Sequence, residues 1–446
     1  MNSILKSNAV VAFPDEDYDP YDERFLKRGL KYWEAINLLL RGFLGTGLLL
    51  LPEAFRFSGI LVGIVDLIIV SIFVTYTYHL MLKSRLQLCK MLRVPRLYYP
   101  EVMQIGFKFG PGCLKFFSPI MGICVDVLCI INQLNQLCAY LWHMASDLER
   151  VFETWYGKGF PHSSYVLILG PYLVILMCVK DMKVYARFAV VSNILSLVSI
   201  CFMIYHMVQD LPNFTLLPPA TEFSTHILFF VPALFAIQSI PVTSTIELNY
   251  LKGQYFLSMP GLLCQAYGLL TVLCFIIALI GYWRYEDGIK MLTLNLDISH
   301  WEVQAAVILF FLGMYISYGL QGHIGLYVLW EHYLSLWINP PWEYVKPIIE
   351  YFIRISVFVV LPVVIIIYLR TGLPLFLAVH GICHSFLGII FPALLEISVI
   401  WPSQKFGACY YIFFKDITIV VIGILVLIVS VYHGQRFFSN QLNGTW

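Results

Sequence analysis

Charged side chains are scarce in this sequence of 446 residues. Aspartate, glutamate, lysine and arginine together make up 12% of the chain, whereas hydrophobic residues make up 59%. Soluble domains carry about 25% charged residues, so the composition excludes a water-soluble globular protein. The formal net charge of only +1 also argues against nucleic acid as a partner, because nucleic-acid-binding surfaces are strongly basic.

The sequence lacks the short motifs of the common enzyme classes. It contains no G-x-S-x-G, no H-E-x-x-H and no phosphate-binding loop, so we expect no enzymatic activity. Its 11 cysteines include no C-x-x-C pair, and we expect neither disulfides nor a structural metal site. No cofactor is expected, apart from a proton as a possible coupling ion.

Long apolar stretches recur along the whole chain, and each is long enough to cross a bilayer. They predict an all-α polytopic membrane protein with eleven transmembrane helices. The predicted spans cover residues 33–57, 60–82, 117–142, 164–179, 188–208, 226–246, 262–282, 302–323, 351–369, 373–397 and 411–432. We assign residues 32–433 to a single transmembrane domain, residues 1–31 to a mostly disordered tail and residues 434–446 to a second, short tail.

The basic residues between the predicted spans are concentrated on one side of the membrane. If the N-terminus is cytoplasmic, most of these lysines and arginines fall in cytoplasmic segments, as the positive-inside rule requires. The C-terminus then lies outside the cell or in an organelle lumen. The sequon at Asn213 falls on that outer side and is a candidate for glycosylation. The plasma membrane and a lysosomal or endosomal membrane are both open as locations.

The first span is interrupted in its middle by Gly45, Thr46 and Gly47. Glycine frees the backbone from the helix, and unpaired backbone N–H and C=O groups in hydrocarbon are strongly unfavourable. Such a break is tolerated where these groups face protein, water or a ligand, and it therefore indicates a site for a transported solute. The alternative is that the small residues only allow two helices to pack closely.

The sixth span carries a second break. Pro232 and Pro241 each remove a helix hydrogen bond, and the polar residues Gln238 and Ser239 lie between them. Two interrupted helices five spans apart are typical of transporters built from two inverted repeats of five helices. We therefore expect the two breaks to share one solute site.

The chemistry of the two breaks favours a zwitterion. Backbone N–H groups near Gly47 would carry partial positive charge and suit a carboxylate, whereas the carbonyls near Phe235 and Ala236 would suit an ammonium group. A free α-amino acid offers both groups, although sugars and ions remain alternatives. The residues expected to contact the substrate are Gly45, Thr46, Gly47, Tyr140, Phe235, Ala236, Gln238, Ser239 and Tyr318.

Several stretches carry motifs of a known family. The first span reads Asn37-Leu-Leu-x-x-Gly-x-x-Gly-Thr-Gly-Leu-Leu-x-Leu-Pro52, and further matching motifs are Gln133-Leu134 with Cys138 and Tyr140, Val179 to Lys183, Ala233 to Ala236, Tyr318 with Gln321, and Pro392 to Glu396. These motifs resemble those of the proton-assisted amino acid transporters, a branch of the amino acid/auxin permease superfamily. The chain looks like a divergent member of an insect or other animal type.

The resemblance implies a LeuT-like fold with broken helices 1 and 6, in which spans 1, 2, 6 and 7 move against spans 3, 4, 5 and 8. It implies transport of small neutral amino acids toward the cytosol, usually together with a proton. An alternative function is amino-acid sensing, in which the N-terminal tail would contact a signalling partner. A proton-independent facilitator or exchanger is a further alternative.

Some positions depart from the family pattern. Gln238 stands where the family usually has glutamate, and Tyr76 stands where some members have a histidine linked to proton coupling. Neither replacement titrates near neutral pH, so proton coupling is an open question. In the first helix, Arg41 and Phe43 replace the expected lysine and asparagine.

Four titratable residues within the spans are candidates for proton coupling: Asp126, His79, His380 and His384. Asp126 is the one acid near the middle of a span, and an intramembrane carboxylate is often functional. His380 and His384 are four residues apart and share one helix face, and an imidazole titrates near pH ~6.5. Structural hydrogen bonding is the alternative for Asp126 and for the histidine pair.

Overall fold

The computed structural model describes residues 18–26, 28–209, 211–214, 217–237, 239–286, 291–334, 345–368 and 373–442. Helices dominate this part of the chain, and its one β-type contact is an isolated parallel bridge between Leu30 and Tyr250. The fold is thus all-α, as the apolar composition predicts.

The longer helices follow one another with short connections. They are α1 (Tyr32–Phe43), α2 (Leu51–Ser58), α3 (Ile60–Leu92), α4 (Tyr99–Phe109), α5 (Gly112–Tyr156), α6 (His162–Met177), α7 (Met182–Val208), α8 (Phe230–Ile237), α9 (Ile240–Asn249), α10 (Leu262–Tyr285), α11 (Trp301–Leu329), α12 (Val345–Tyr368), α13 (Leu373–His384), α14 (Phe391–Ile400) and α15 (Tyr411–Leu442). Shorter helical turns lie at Leu48–Leu50, Phe223–His226, Ile227–Phe229, Gly253–Leu257, Leu292–Asn295, Trp330–Leu334 and Ser385–Ile390.

Nine helical stretches among the described residues are long and apolar enough to cross a membrane, and α1 with α2 forms a tenth if the bent pair counts as one span. The helix α6 has 16 residues, fewer than the roughly 20 that a span usually needs. Each predicted span coincides with a helix or a broken helix. Because α6 is short, the count of eleven spans is not confirmed.

The outward faces of the helices are apolar. On α5, Phe116, Ile120 and Ile123 are exposed, and on α3 the side chain of Ile72 is 66% exposed. Continuous apolar surface of this kind is unfavourable in water but suits the hydrocarbon of a bilayer. The chain is an integral membrane protein.

Both predicted breaks interrupt helical geometry. The helix α1 ends at Phe43, Leu44 adopts a ψ of 84°, and the following segment Leu48–Ser58 is bent by 44° from α1. The helix α8 ends at Ile237, and Ser239, with φ −161° and ψ 78°, precedes α9. The glycines and prolines in the sequence therefore locate both breaks correctly.

The predicted tenth span is also irregular, which the sequence does not predict. A π-helical turn over Ser385–Ile390 joins α13 to α14, and π turns in membrane and soluble helices often lie at functional sites. The ring of His384 packs against this turn, because a Cβ atom at Gly388 would overlap the imidazole.

The helices α7 and α11 pack closely against each other, and both contact α1. Ser192 of α7 donates a hydrogen bond to the carbonyl of Gly313 on α11 at 2.8 Å, and a Cβ atom at Gly313 would overlap the hydroxyl of Ser196. Small residues and hydroxyl groups are typical of helix contacts within membranes. Asn193 of α7 donates to the carbonyl of Asn37 on α1 at 3.0 Å. We call α7 and α11 the scaffold pair.

The described part of the N-terminal segment packs against the protein body. The N–H of Leu30 donates to the carbonyl of Asn249, at the end of α9, at 2.7 Å, and Arg24 is buried. Disorder stays a prediction for residues 1–17, which lie outside the described residues. At the other end of the chain α15 continues to Leu442, so the last helix extends into the predicted tail 434–446.

Candidate substrate site at the helix breaks

The first break lies in the protein interior. Every residue from Arg41 to Leu51 is buried, and Thr46 has no exposed surface. Because Leu44 leaves the helical conformation, the N–H groups of residues 45–47 are no longer aligned with the carbonyls of α1. Among the described residues, the Oγ1 atom of Thr46 has no hydrogen-bond partner. An unsatisfied buried hydroxyl costs about 1–3 kcal/mol, so this atom is available to a polar ligand.

The two breaks are in direct backbone contact. A Cβ atom built on Gly47 would lie 2.6 Å from the carbonyl oxygen of Phe235 and 2.7 Å from the Cα of Ala236, so only glycine fits there without displacing the partner backbone. Gly47 precedes the second half of one broken helix, and Phe235 and Ala236 lie in the last turn of α8. The structure thus brings three of the expected substrate residues together.

Tyr140 of α5 packs directly against the first break. A Cβ atom at Gly45 would overlap its hydroxyl, and the tyrosine is fully buried. Gln136 and Gln321 lie close to this hydroxyl. Among the described residues, neither the hydroxyl nor the Oε1 atom of either glutamine has a well-aligned hydrogen bond. With Thr46 they form a group of unsatisfied polar side chains, which we call the polar cluster (Thr46, Gln136, Tyr140 and Gln321).

Gln136 and Gln321 are not among the substrate residues expected from the sequence. Gln136 is one helical turn before Tyr140 on α5. The four-residue spacing places both side chains on one helix face, and this spacing could have identified Gln136 from the sequence. Gln321 is anchored by its Nε2 atom, which donates to the carbonyl of Gly42 at 3.2 Å. This bond links α11 to the end of α1 and leaves the Oε1 atom of Gln321 without a hydrogen-bond partner among the described residues.

Arg41 is fully buried on α1, shortly before the first break. Its guanidinium donates to the hydroxyls of Ser192 (3.0 Å) and Ser196 (2.8 Å) on α7 and of Ser317 (2.5 Å) on α11. It also donates to the carbonyl of Leu44, where the helix ends. All of these partners are neutral oxygens. The guanidinium therefore ties the first break to both helices of the scaffold pair.

A pair of buried histidines lies behind the second break. The ring of His380 on α13 packs edge-on against Phe235, with 4.8 Å between ring centroids, and His384 lies parallel to His380 at 6.5 Å. Tyr78 of α3 packs against the ring of His384. None of the four imidazole nitrogens has a hydrogen-bond partner among the described residues. Two of the expected proton-coupling residues thus lie next to an expected substrate residue.

The other two proton-coupling candidates lie away from the breaks. Asp126 accepts a hydrogen bond from the hydroxyl of Tyr333 at 3.0 Å and lines a cavity on the side of the N-terminal segment. His79 lines a separate, lateral cavity between α3 and α10.

The remaining residues that the sequence singles out do not form one further group. Ser239 is buried at the start of α9, and Tyr318 is buried on α11 beside a serine that binds Arg41. Gln238 lies outside the described residues. Asn213, the expected glycosylation site, is exposed in the connection between α7 and α8.

A cavity of about 560 Å³ leads from the N-terminal segment toward the second break. Arg28 lines its exposed end, and Pro241 and Ser244 of α9 line its buried end. At the exposed end, Arg28 pairs with Asp181 at 2.7 Å. Although burial raises it, hydrogen bonds from the N–H of Lys183 and from Arg28 hold the pKa of Asp181 below its usual value. The cavity thus extends from this face of the protein to the start of α9.

A buried ion cluster links the N-terminal segment to α9. Glu247 of α9 accepts a hydrogen bond from Arg24 at 3.2 Å and another from Arg85 of α3. Arg85 also donates to the hydroxyl of Ser244 at 2.9 Å. All three charged side chains are at most 4% exposed. A movement of α9 would therefore be transmitted to the N-terminal segment.

Two broken helices that pack together inside an apolar helical bundle, with a cavity leading to one of them, are typical of secondary transporters. Residues 28–435 match the family described as transmembrane amino acid transporter protein, and the chain belongs to this family. It is a transporter of the amino acid transporter family and not an enzyme.

Relatives of the chain occur in animals and plants. Over 429 residues it is 28% identical to the proton-coupled amino acid transporter-like protein pathetic of Drosophila melanogaster, an alignment that covers 95% of this chain and 88% of that protein. Over 297 residues it is 24% identical to the amino acid transporter ANT1 of Arabidopsis thaliana, which covers 65% of each chain. The expected resemblance to amino acid transporters is confirmed.

A solved transporter structure shares the fold. The chain matches a substrate-bound, outward-open Na⁺-coupled sialic acid symporter with a TM-score of 0.55 and 9% sequence identity, over 96% of this chain and 94% of that chain. This likeness concerns the fold alone. It confirms the expected LeuT-like architecture with two broken helices.

Proposed function

We propose that this protein moves small neutral amino acids across its membrane toward the cytosol. The contact between Gly47 and the backbone of Phe235 and Ala236 carries the proposal, because it sets the N–H groups of one half-helix beside the carbonyls of another. The substrate carboxylate binds the N–H groups of residues 45–47 and the Thr46 hydroxyl. The substrate ammonium group binds the carbonyls at the end of α8.

The side chains around the breaks support a substrate whose own side chain is neutral. Thr46, Gln136, Tyr140 and Phe235 carry no charge at neutral pH, and Arg41 already donates to five oxygens. A charged substrate side chain would lose its hydration here without meeting an opposite charge. The close approach of Tyr140 to the first break supports a small substrate such as alanine.

The direction of transport is inferred from charge and from the cavity. Lysines and arginines are concentrated on the side of the N-terminal segment, which makes this side cytoplasmic by the positive-inside rule. The cavity of about 560 Å³ opens on the same side. In this proposal the structure corresponds to the state that releases substrate to the cytosol, whether from the outside of the cell or from a lysosomal or endosomal lumen.

A proton accompanies the substrate in this proposal, and His380 and His384 take it up. The pair lies against Phe235, and its four ring nitrogens have no partner among the described residues. His380 contacts the ring of Phe235, whereas the ammonium group is proposed to bind backbone carbonyls. A proton on the pair therefore adds to the positive charge that attracts the substrate carboxylate at the adjacent first break, so that proton and substrate each favour binding of the other. The name of the Drosophila relative, a proton-coupled amino acid transporter-like protein, agrees with this coupling.

Amino-acid sensing is a second candidate role, with a signalling partner at the N-terminal tail. It is favoured by the bond between Arg24 and Glu247, which couples the N-terminal segment to α9 and hence to the second break. Deletion of residues 1–17 would leave this bond intact. Loss of amino-acid-dependent growth signalling with unchanged uptake is expected for a sensor, and unchanged signalling would contradict the role.

The transport proposal is tested by radiolabelled alanine uptake into proteoliposomes. Gly47→Ala is expected to reduce uptake to a small fraction of the wild-type rate, since the added methyl group would collide with the carbonyl of Phe235. Gly268→Ala on α10 is the matched control, because a Cβ atom there meets nothing within 4 Å. Equal uptake by the two variants, both folded by gel filtration, would contradict the site.

A further inference from the structure

Three side chains with metal-binding chemistry meet at the end of the scaffold pair opposite the N-terminal segment. His206 lies in the last turn of α7, whereas His300 immediately precedes α11 and Glu302 lies in its first turn. The ligand atoms of the three side chains all lie within 4.8 Å of one another. The expectation of no metal site rested on the absence of short metal-binding motifs in the sequence. The three residues of this cluster belong to no such motif, because α7 and α11 are far apart along the chain.

The distances in this cluster approach those of a tetrahedral metal site. The Nδ1 atoms of His206 and His300 lie 3.7 Å and 3.8 Å from the Oε1 atom of Glu302. Metal–ligand bonds of about 2.0–2.2 Å place the ligand atoms of a tetrahedral zinc site about 3.3–3.6 Å apart. The two nitrogen–oxygen distances therefore exceed those of a zinc site by only a few tenths of an ångström, and the ligand atoms of the two histidines lie within 4.8 Å of each other.

An unsatisfied buried nitrogen points to a missing ligand. The side chain of His206 is only 10% exposed, and among the described residues its Nδ1 atom has no hydrogen-bond partner. Glu302 is equally buried, at 8% side-chain exposure. A metal ion between them would satisfy this nitrogen and neutralise the carboxylate.

Asp297 is placed to orient His300. Its Oδ2 atom lies 3.8 Å from the Nε2 atom of His300, on the side of the ring away from the cluster, and its Oδ1 atom accepts the N–H of Ser299 at 3.0 Å. The hydrogen bonds from Ser299 hold the pKa of Asp297 below its usual value. At 3.8 Å the two groups are at an ion-pair distance, and a small shift of the His300 ring would let its second N–H donate to Asp297, as metal-binding histidines commonly do to a carboxylate.

We propose that His206, His300 and Glu302 bind a zinc ion, with water as the fourth ligand. Two imidazole nitrogens and one carboxylate oxygen form a donor set that suits Zn²⁺, whereas Ca²⁺ and Mg²⁺ prefer oxygen ligands alone. The site lies on the face opposite the cavity, so it is open to the medium on the outer side in the topology proposed above.

Bound zinc ties α7 to the segment that covers the first broken helix. Leu292 and Pro52 both contact Gly281, which places the segment 291–296 over the start of α2. Arg150 of α5 holds this segment through the carbonyl of Leu296 at 2.7 Å. The proposed ligand His300 follows this segment four residues later, so a bound metal would hold the chain just beyond the segment's far end. Zinc therefore hinders the movement that opens the first break to the outer side, and it inhibits transport.

Zinc binding is measured on the purified full-length protein by competition with a chromophoric zinc chelator. His300→Gln and His206→Gln each remove a metal ligand and are expected to weaken zinc binding by well over about tenfold. Asp297→Asn removes only a neighbour of a ligand and is expected to weaken zinc binding by about tenfold. His162→Gln is the matched control, since His162 is paired with Glu149 at 2.6 Å and should bind zinc as wild type does. Absence of zinc binding by the wild type, or wild-type affinity in both His206→Gln and His300→Gln, would overturn the site.

The effect on transport is a separate measurement. With zinc added outside the proteoliposomes, alanine uptake by the wild type should fall, while His300→Gln should be insensitive to zinc and match the wild type in EDTA. Equal inhibition of the wild type and His300→Gln would contradict the proposal that zinc at this site inhibits transport. The chelator competition and a zinc-dependent rise in unfolding temperature need no transport, so they remain informative if alanine proves not to be the substrate.

Discussion

The guanidinium of Arg41 donates a hydrogen bond to the carbonyl oxygen of Leu44, the residue at which the first half of the broken span leaves helical geometry. The same guanidinium holds the hydroxyls of Ser192, Ser196 and Ser317. A freed carbonyl and several hydroxyls form the kind of oxygen group that binds small cations. In this protein a side chain that is always charged occupies that place.

Alanine uptake is therefore expected to be independent of sodium. Arg41 already supplies positive charge to the oxygens of the first break, so no Na⁺ ion is needed to stabilise it. The measurement is initial uptake into proteoliposomes with Na⁺ replaced by N-methyl-D-glucamine on both sides. A fall in uptake on this replacement would show that a sodium site exists elsewhere and would contradict this role of Arg41.

Thr46→Val is expected to weaken substrate binding without destabilising the protein. The Thr46 hydroxyl has no partner among the described residues, so its replacement by a methyl group of the same shape should be neutral for folding or slightly stabilising. Loss of a hydrogen bond to a carboxylate is worth about 1.5–3 kcal/mol, which corresponds to a KM for alanine raised by roughly 10- to 100-fold.

Thr46→Ser is the control for that variant, because it keeps the hydroxyl and removes only a methyl group. Its KM should stay within a few-fold of the wild-type value. A KM for Thr46→Val equal to that of Thr46→Ser would place the substrate carboxylate elsewhere. Unfolding temperatures of all three proteins separate binding effects from folding effects.

His384→Gln is expected to abolish the stimulation of uptake by an inwardly directed acid gradient. The variant keeps a polar side chain of similar size but cannot take up a proton near neutral pH. Uptake without a gradient should persist, because the substrate groups at the breaks are unchanged. His79→Gln, in the lateral cavity between α3 and α10, should retain the stimulation. Retained stimulation in both His380→Gln and His384→Gln would refute coupling through this pair.

Glu247→Gln is expected to destabilise the protein, whereas Arg28→Gln is not. The first substitution leaves the buried guanidinium groups of Arg24 and Arg85 without a negative partner, and breaking a buried ion pair costs about 3–5 kcal/mol. The second removes a pair with Asp181 in which the arginine is 76% exposed, worth at most ~1 kcal/mol. Thermal unfolding in detergent compares them, and equal unfolding temperatures would contradict the structural importance of the buried cluster.

The helical architecture and both breaks follow from local features of the sequence. Gly45 and Gly47 free the backbone, Pro232 and Pro241 remove hydrogen bonds, and both effects act on neighbouring residues. For this reason the location of the breaks is predictable. The meeting of Gly47 with Phe235 is expected as well, because inverted repeats bring corresponding helices together.

Features that depend on contacts between distant residues are not predictable in the same way. The partners of Arg41 lie on α7 and α11, and no local pattern joins them to α1. The grouping of His206 with His300 and Glu302 likewise arises only when α7 packs on α11. The π-helical turn after α13 contains neither a glycine pair nor a proline of the kind that predicts the other two interruptions.

The central claim is that the two breaks together recognise a zwitterion, and competition for labelled alanine uptake tests it most directly. The competitors are unlabelled alanine, propionate, which lacks the ammonium group, and ethylamine, which lacks the carboxylate. Unlabelled alanine should compete fully, while propionate and ethylamine should compete at least about 100-fold more weakly, because each leaves one break without its partner. Competition by either single-charge analogue as strong as that of alanine would contradict the claim.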